Sequence, residues 1–303
     1  MELLLAYYLA EMSTNDYPAS PIKISKLNIT LLSPLHDLFT MPLILRNPHS
    51  VLAALSHRPE EVKEVRFISD QSSGNDVWRD VASTAQKCGV PVITGATSRT
   101  GGRRSSKQRG QKSERPGIAE AHVIECGEHS LEEIFSSVLP EENEQAENDQ
   151  PNGHGLWLAF DQIQDPHNAG AIFRSAAFFG VRGIVLTKDR SAPINATVYD
   201  VACGGVETVP FTQQTNLSRT LQIAKDAGLW ILGTSEHATE NAANIPLDRP
   251  WLLVLGNEEK GLRRLTKEQC DMMCALKPAG DVTSLNVSVA AGIMIARLSG
   301  HLT

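Results

Sequence analysis

A polar stretch in the second half of the chain, Asp161 to Ala176, carries residue types that can hold an anion. The turn-forming pair Asp165-Pro166 precedes Asn168, which we expect to cap a helix, and small residues follow it. Since a helix repeats every 3.6 residues or so, Arg174 falls within about two turns of this cap and could reach a phosphate or carboxylate held near the helix start. An ordinary strand-turn-helix unit with a surface arginine explains this stretch equally well when it is considered alone.

Two later stretches, 256–262 and 277–292, each follow an apolar run that predicts a strand. Both contain glycine, and both place polar side chains just past a strand end: Glu258, Ser284, Asn286 and Ser288. In open α/β sheets, ligands bind beyond the carboxyl ends of the strands. The three stretches together therefore predict one functional site, which each of them alone would support only weakly.

The elements that would position this site alternate between strands and helices from Gly155 to Thr303. Such alternation predicts an α/β domain built on a mostly parallel sheet. The predicted strands are 156–160, 183–186, 207–210, 229–232, 251–255 and 273–276. The predicted helices are 168–179, 217–226, 262–270 and 287–298.

The N-terminal part of the chain predicts a smaller domain of mixed α/β structure, which we place at 41–138. Its predicted helices are 48–55 and 77–87, and its predicted strands are 62–68, 90–93 and 118–124. An acidic, proline-bracketed stretch at 139–154 predicts a linker to the second domain, 155–303. Residues 1–40 lack clear alternation, so we expect a poorly packed extension there, or a translation start at Met41.

A basic, glycine-rich segment interrupts the smaller domain. Between Arg99 and Arg115, seven lysines and arginines stand against a single acid, Glu114. Like charges at this density suit contact with a phosphate backbone, because each neutralised phosphate releases counterions. We therefore predict RNA contacts at Arg103, Arg104, Lys107 and Arg109. The alternative is a solvated segment without a ligand, which is the usual state of a charge run.

The composition is that of a globular protein. Hydrophobic residues make up 41% and charged residues 21% of the 303, and the net charge is −7. Because the predicted linker carries much of the acidic excess, the negative total does not exclude a nucleic-acid partner. The five cysteines form no C-x-x-C pair, and Cys270 and Cys274 have no histidine nearby at ligand spacing. These features predict free thiols, no metal site and a reducing compartment.

The first ten residues form an apolar run that is too short to span a bilayer. Glu2 stands where a signal peptide would carry positive charge, and acids outnumber lysines over residues 1–40. We find no targeting signal and expect a cytoplasmic protein, or a mitochondrial one if the source is eukaryotic.

Three motifs at the predicted site resemble those of the SpoU/TrmH family of S-adenosylmethionine-dependent RNA ribose 2′-O-methyltransferases. They read D-P-H-N-A-G-A-I-F-R-S-A (165–176), L-G-N-E-E-K-G-L (255–262) and S-L-N-V-S-V-A-A-G (284–292). Two intervening stretches, K-D-R-S-A-P-I-N-A-T (188–197) and V-A-C-G-G-V-E-T-V-P (201–210), resemble the branch that contains bacterial 23S rRNA guanosine 2′-O-methyltransferases. The resemblance covers 156–300. Over 41–125 a looser resemblance indicates the L30e-like RNA-binding domain that precedes the catalytic domain in that branch.

The resemblance implies a deep trefoil knot that holds S-adenosylmethionine, and a homodimer formed through the catalytic domain. From the three clustered stretches we predict that S-adenosylmethionine binds without a metal. The implied cofactor contacts are Gly256, Leu276 and Leu285, with Thr234 as a further candidate. Lys277, beside the implied adenosine pocket, departs from the apolar-Pro-Met sequence that is common in the family. No G-x-G-x-x-G with a downstream acid follows a strand, which disfavours a Rossmann-type methyltransferase site.

The implied catalytic residues are Asn168, Arg174, Glu258, Asn286 and Ser288. The family places the arginine at the ribose hydroxyl, with Asn168 and Glu258 orienting it. A guanidinium stays protonated in proteins, so binding the target phosphate and stabilising the developing alkoxide suits Arg174 better than accepting a proton. His167 is an alternative base by residue type, but its place just before the expected cap favours a local structural role.

Two other functions stay open. The motifs report on ribose chemistry and not on the identity of the RNA, so a tRNA ribose 2′-O-methyltransferase of the same family is the first. The second is a noncatalytic RNA-binding factor of ribosome assembly that keeps the knot. The intact set of five polar residues argues against this second function.

Overall fold

The computed structural model describes residues 42–68, 76–94, 119–138 and 154–302. The predicted extension 1–40 lies outside these ranges, as does nearly all of the predicted linker at 139–154. So do the four predicted RNA contacts, Arg103, Arg104, Lys107 and Arg109.

A four-stranded sheet forms the centre of the smaller domain. Its strands are β1 (Leu43–Leu45), β2 (Val62–Phe67), β3 (Val92–Thr94) and β4 (Ala119–Val123), in the spatial order β1-β4-β2-β3. β2 and β3 pair in parallel, and the other two pairs are antiparallel. Two helices, α1 (Pro48–His57) and α2 (Asp76–Lys87), belong to the same domain. In α2 the buried Trp78, Val81 and Ala85 recur at helical spacing, which explains why this stretch folds as an amphipathic helix.

A seven-stranded sheet forms the larger domain. Its strands are β5 (Leu156–Asp161), β6 (Gly183–Thr187), β7 (Phe211–Gln214), β8 (Trp230–Thr234), β9 (Glu240–Asn241), β10 (Trp251–Gly256) and β11 (Met272–Ala275). The spatial order is β7-β6-β5-β10-β8-β11-β9, and each of the pairings is parallel. This confirms the predicted α/β class with a mostly parallel sheet, whereas the trefoil knot stays a prediction.

Both faces of this sheet are covered. Along β5, Leu156, Leu158 and Phe160 join one apolar core, and the alternating Trp157 and Ala159 join a second one. Burial on both faces is typical of parallel sheets and accounts for the uninterrupted apolar runs in the sequence.

The helices that accompany this sheet are α3 (Leu131–Phe135), α4 (Pro166–Phe178), α5 (Ala196–Ala202), α6 (Gly205–Thr208), α7 (Leu217–Asp226), α8 (Arg264–Gln269) and α9 (Val287–Leu298), the last of which follows the final strand. The predictions 217–226 and 287–298 are confirmed to the residue. Each of these two helices is capped by an asparagine whose side-chain oxygen accepts a backbone N–H, Asn216 in α7 and Asn286 in α9.

The predicted strand at 207–210 is wrong, because α6 ends at Thr208 and the strand β7 begins only at Phe211. Gly205 packs so closely on α4 that an added Cβ would lie 2.6 Å from the carbonyl oxygen of Phe173. This contact, remote in sequence, fixes a helical turn where the local pattern V-E-T-V-P favours a strand. The helix α5 was not predicted, although Asn195 offers a cap: its side-chain oxygen accepts the N–H of Thr197.

The segment that follows β4 packs on the larger sheet. The indole N–H of Trp157 donates to the carbonyl of Ile134 at 2.8 Å, and Ile134 and Phe135 lie in the second apolar core. The carboxylate of Glu128 accepts both the backbone and the side-chain N–H of Gln213, each at 3.0 Å. Residues 128–138 therefore contribute to the packing of the larger domain.

No helix in the described ranges is long and apolar enough to cross a membrane. All five cysteines are free thiols, and Cys88 is the exposed one.

Candidate active site

The first motif turns from β5 into α4. The cap of α4 is Asp165, whose carboxylate accepts the backbone N–H of His167 at 2.8 Å. The prediction that Asn168 caps the helix was therefore wrong. Pro166 takes the first helical position, which its fixed φ and missing N–H favour, and this makes the preceding aspartate the cap. Asn168 lies one turn inside the helix, is buried, and turns its side chain toward the other two motifs.

A line of hydrogen bonds joins the three motifs. The hydroxyl of Ser288 donates to Oδ1 of Asn286 at 2.6 Å, and the amide of Asn286 donates to Oδ1 of Asn168 at 3.0 Å. The amide of Asn168 in turn donates to Oε1 of Glu258 at 3.1 Å. Each step runs in the same direction, so the line ends on a carboxylate, which can only accept while it is ionised. We call these four residues the Ser288–Glu258 line.

The carboxylate of Glu258 is also held from the other side. It accepts the backbone N–H groups of Gln164 and Asp165, each at 3.3 Å, and the side-chain amide of Asn257 at 3.3 Å. Hydrogen bonds to a charged acceptor are stronger than those between neutral groups. The second motif is thereby fixed against the turn that begins the first.

A cavity of about 700 Å³ opens beside Glu258. Its lining includes the four residues predicted to contact the cofactor: Thr234, Gly256, Leu276 and Leu285. Thr234 and Gly256 are the last residues of β8 and β10, so the cavity lies at the carboxyl ends of the strands, as the general rule for open α/β sheets predicts. The volume falls within the range of about 300–1,000 Å³ that small-molecule sites occupy.

Gly256 is required by the way in which the second motif folds back. A Cβ at this position would lie 2.4 Å from the carbonyl carbon of Gly261 and 2.5 Å from the nitrogen of Leu262. Both are backbone atoms that cannot move aside without opening the loop. A side chain at position 256 would therefore displace the loop that carries Glu258.

Lys277 closes one side of the cavity. Its ammonium group donates to the carbonyl oxygen of Ala238 at 2.5 Å. Lys277 lines the cavity, as do Ser235 and His237 from the loop after β8. The loop after β8 is thereby tied to the loop after β11. The departure of Lys277 from the family pattern thus has a structural role at the rim.

Arg174 lies apart from this arrangement. It stands six positions after Asn168, which is about one and two thirds turns further along α4 and places it on a different side of the helix. Its side chain is exposed, and it belongs neither to the Ser288–Glu258 line nor to the cavity lining. The structure thus brings together four of the five predicted catalytic residues and leaves the fifth on the neighbouring surface of α4.

The sequence interpretation missed an ion pair that supports the second motif. Asp161, the last residue of β5, is 0% exposed and accepts the backbone N–H of Arg263 at 2.9 Å and its Nε at 2.5 Å. A buried carboxylate is expensive without such partners. The available signal was an acid directly after five apolar residues, which is unusual for a strand that is buried on both faces.

Among the described residues, no three His, Cys, Asp or Glu side chains lie close enough together to hold a metal ion. Metal independence stays a prediction.

Comparison with known proteins agrees with this geometry. Residues 155–296 match the model of the SpoU rRNA Methylase family. The 23S rRNA (guanosine-2′-O-)-methyltransferase RlmB of Nitrosomonas europaea is 36% identical over 247 residues, which cover 82% of this chain and 87% of that relative. The RlmB of Pseudomonas aeruginosa is 36% identical over 248 residues, which cover 82% of this chain and 92% of that relative.

Solved structures share the fold. The SpoU methyltransferase AviRb from Streptomyces viridochromogenes, in complex with AdoMet, superposes with a TM-score of 0.63 at 20% identity and covers 90% of this chain and 93% of that one. An AdoMet-bound rRNA methyltransferase from Sinorhizobium meliloti gives a TM-score of 0.61 at 19% identity, with 92% and 98% covered.

Proposed function

Because the chain belongs to the SpoU rRNA methylase family, we propose that it methylates a ribose 2′-hydroxyl of RNA, on a guanosine of large-subunit rRNA, with S-adenosylmethionine as donor. The observation that carries the proposal is the Ser288–Glu258 line, which joins three motifs beside a cavity at the strand ends. The relatives from N. europaea and P. aeruginosa are 23S rRNA guanosine methyltransferases, which supports the same class of substrate here.

The cavity suits S-adenosylmethionine. Leu276 and Leu285 supply apolar surface for a purine ring, and the strand ends at Thr234 and Gly256 supply backbone groups for its polar edge. We assign cofactor contacts to these four residues. No metal is needed for this assignment, so calorimetry in the presence of excess chelator should show unchanged binding. A strict requirement for a divalent ion would contradict it.

When bound, S-adenosylmethionine supplies an electrophilic methyl group, so the protein has to position the hydroxyl and allow its proton to leave. Glu258 fixes the orientation of Asn168 and, through it, that of Asn286 and Ser288. These side chains form the polar wall against which the ribose is placed. Arg174 binds the target phosphate and stabilises the developing alkoxide, while the proton passes to phosphate or water.

We also propose a homodimer formed through α4 and α9. These two helices pack together, and side chains at their outer surface are apolar: Phe178, Val289 and Ile293. Phe178 is 81% exposed, so a second copy of the chain packed on it would remove a large apolar side chain from water. Val289 and Ile293 are four positions apart and so share one face of α9.

Mapping of 2′-O-methyl sites in total RNA, with and without the gene, tests the function. We expect loss of one guanosine mark in large-subunit rRNA. Loss in tRNA instead would favour the tRNA-specific alternative, and an unchanged map would favour the noncatalytic assembly factor. We place the protein in the cytoplasm, where such RNA is made in bacteria.

A further inference from the structure

The smaller domain is bonded to the surface formed by α5 and α6 of the larger domain. The carboxylate of Asp200 accepts the backbone N–H groups of Arg46 and Asn47 at 2.9 to 3.1 Å. The amide of Asn47 donates to the carbonyl of Asp200 at 2.7 Å, and the buried hydroxyl of Ser50 donates to the carbonyl of Tyr199 at 2.7 Å. These hydrogen bonds hold the start and the first turn of α1 against α5.

A buried ion pair holds the other end of α1. The guanidinium of Arg58 forms a fork on Glu207, with Nε at 2.6 Å and Nη2 at 2.9 Å from the two carboxylate oxygens. The side chain of Arg58 is 9% exposed and that of Glu207 is 1% exposed. A third nitrogen of Arg58 donates to Glu61 and to the carbonyl of Ile124 at 2.5 Å. Separation of the domains would break the fork between Arg58 and Glu207, whereas Arg58 would keep Glu61 and the carbonyl of Ile124, which belong to its own domain. The fork therefore specifies how the two domains fit together more than it stabilises their contact.

The glycine between these two sets of contacts allows the close approach. Gly204 has a φ of +97°, and a Cβ added there would lie 2.7 Å from the Cβ of Ala53 on α1. The stretch V-A-C-G-G-V-E at 201–207 therefore contains both residues that contact α1 and its end, Gly204 and Glu207. Apolar packing agrees with the polar contacts, because the largest core cluster includes Val51 of α1 as well as Tyr199 and Val206.

We propose that Arg58, Glu207 and Gly204 lock the smaller domain onto α5 and α6, and that this lock sets the orientation in which RNA is presented to the active site. The inference rests on the proposed function, since orientation matters only when both domains engage one RNA. Two binding surfaces on one rigid body bind a common ligand with a higher effective concentration than two surfaces that move independently. Arg58 and Glu207 are positioning residues in this scheme, because neither lines the cavity.

A steric wedge tests the lock without removing a buried charge. Ala53→Gln places a long neutral side chain at the contact with Gly204, on a position of α1 that lies outside the buried core. Ser56→Gln is the matched control, because Ser56 is exposed on the same helix. Spin labels carried by unnatural amino acids at the exposed Lys87 and Gln222 report the distance between the domains in the full chain. The labelled protein is diluted with an excess of unlabelled protein, so that a dimer carries one labelled protomer. We expect one narrow distance distribution for the wild type and the control, and a broad one for the wedge.

The KM for RNA shows whether the orientation of the smaller domain is used. In Ala53→Gln and Arg58→Met, we expect the KM for an rRNA fragment to rise at least about tenfold. The Kd for S-adenosylmethionine should stay unchanged, because the cavity is formed by other elements. Arg58→Lys should fall between wild type and Arg58→Met, since an ammonium group keeps the charge but not the fork.

Two results would overturn the lock. A narrow distance distribution in Ala53→Gln would show that the wedge does not release the domain. A broad distribution with an unchanged KM for RNA would show that orientation is not used. A wild type that fails to methylate rRNA would instead refute the proposed function, and the label distances together with RNA affinity from filter binding would still decide the lock.

Discussion

Glu258 is the acceptor on which the candidate site converges. Its carboxylate accepts N–H groups from Gln164, Asp165, Asn168 and Asn257. Its removal would therefore release Asn168 and the turn at Gln164 and Asp165 together. Its side chain nevertheless belongs to an exposed loop and contributes nothing to the apolar core.

Glu258→Ala should therefore lower kcat for methyl transfer by about a hundredfold or more while the fold stays intact. Thermal unfolding of the variant should remain within a few degrees of wild type. Glu268→Ala is the control, because Glu268 is an exposed acid on α8 that pairs only with Arg264 among the described residues. Full activity of Glu258→Ala would remove this residue from the site.

The reactivity of the cysteine thiols tests whether Cys270 and Cys274 are buried as the structure describes. Burial raises the pKa of the Cys270 and Cys274 thiols to about 12, with the negative charges of Asp271 and Glu240 adding to the effect in the two cases respectively. A thiol with this pKa has about a thousandfold less thiolate at a given pH than an ordinary one.

We therefore expect iodoacetamide at pH 8 to modify Cys88, which is exposed, and to spare Cys270 and Cys274. The protection should decrease as the pH rises toward 12, because deprotonation then becomes favourable in the folded state. Mass spectrometry of digested protein measures each site. Equal labelling of Cys88 and Cys274 at pH 8 in the folded protein would contradict the packing of β11 described above.

Among the helices and strands, the amphipathic helices and the buried strands could be predicted from the sequence, whereas the short helices could not. α7 and α9 combine helical periodicity with an asparagine cap, so local sequence alone defines their ends. α6 has four residues, and its conformation depends on the contact of Gly205 with Phe173, which no local pattern reports.

In the candidate site, too, some features could be predicted from the sequence and others could not. The rule that ligands bind at strand ends predicted that the motifs of Asn168, Glu258 and Asn286 would meet. The direction of the hydrogen bonds and the buried pair of Asp161 with Arg263 could not be predicted, because both depend on side-chain placement in the folded chain. The helix cap was misassigned because aspartate and asparagine are comparable caps, and only the position of Pro166 distinguishes them.

The exposed face of α4 and α9 leads to a prediction about assembly. Burial of a phenylalanine side chain contributes about 1.5–3 kcal/mol, and in a symmetric dimer each substitution acts twice. Phe178→Asp should thus raise the Kd of the dimer at least about a hundredfold. Ile223→Asp on α7 is the control, because Ile223 is also partly exposed but lies on another helix. Sedimentation equilibrium distinguishes the two states, and a wild type that is monomeric at micromolar concentration would refute the proposed interface.

For the molecule as a whole, the net charge of −7 conceals a basic segment in the smaller domain. If that segment contacts RNA, neutralising Arg103, Arg104, Lys107 and Arg109 should weaken RNA binding and flatten its salt dependence. On a log-log plot the slope should fall by up to about 0.9 per lost contact with a duplex. Calorimetry should show unchanged affinity for S-adenosylmethionine, because the cavity residues all belong to the larger domain.

An unchanged salt slope after these four substitutions would assign the segment to solvent. The RNA surface would then have to be sought on the larger domain, around Arg174, Lys188 and Arg190.

The strand order also fixes when the larger domain can fold during synthesis. β5 pairs with β10 in the middle of the sheet, and the two strands begin at Leu156 and Trp251. At about 5–20 residues per second, a ribosome needs roughly five to twenty seconds to pass from one to the other. During that interval the edge of β5 that pairs with β10 keeps its backbone N–H and C=O groups unpaired, so the nascent chain carries an open strand edge of the kind that chaperones shield.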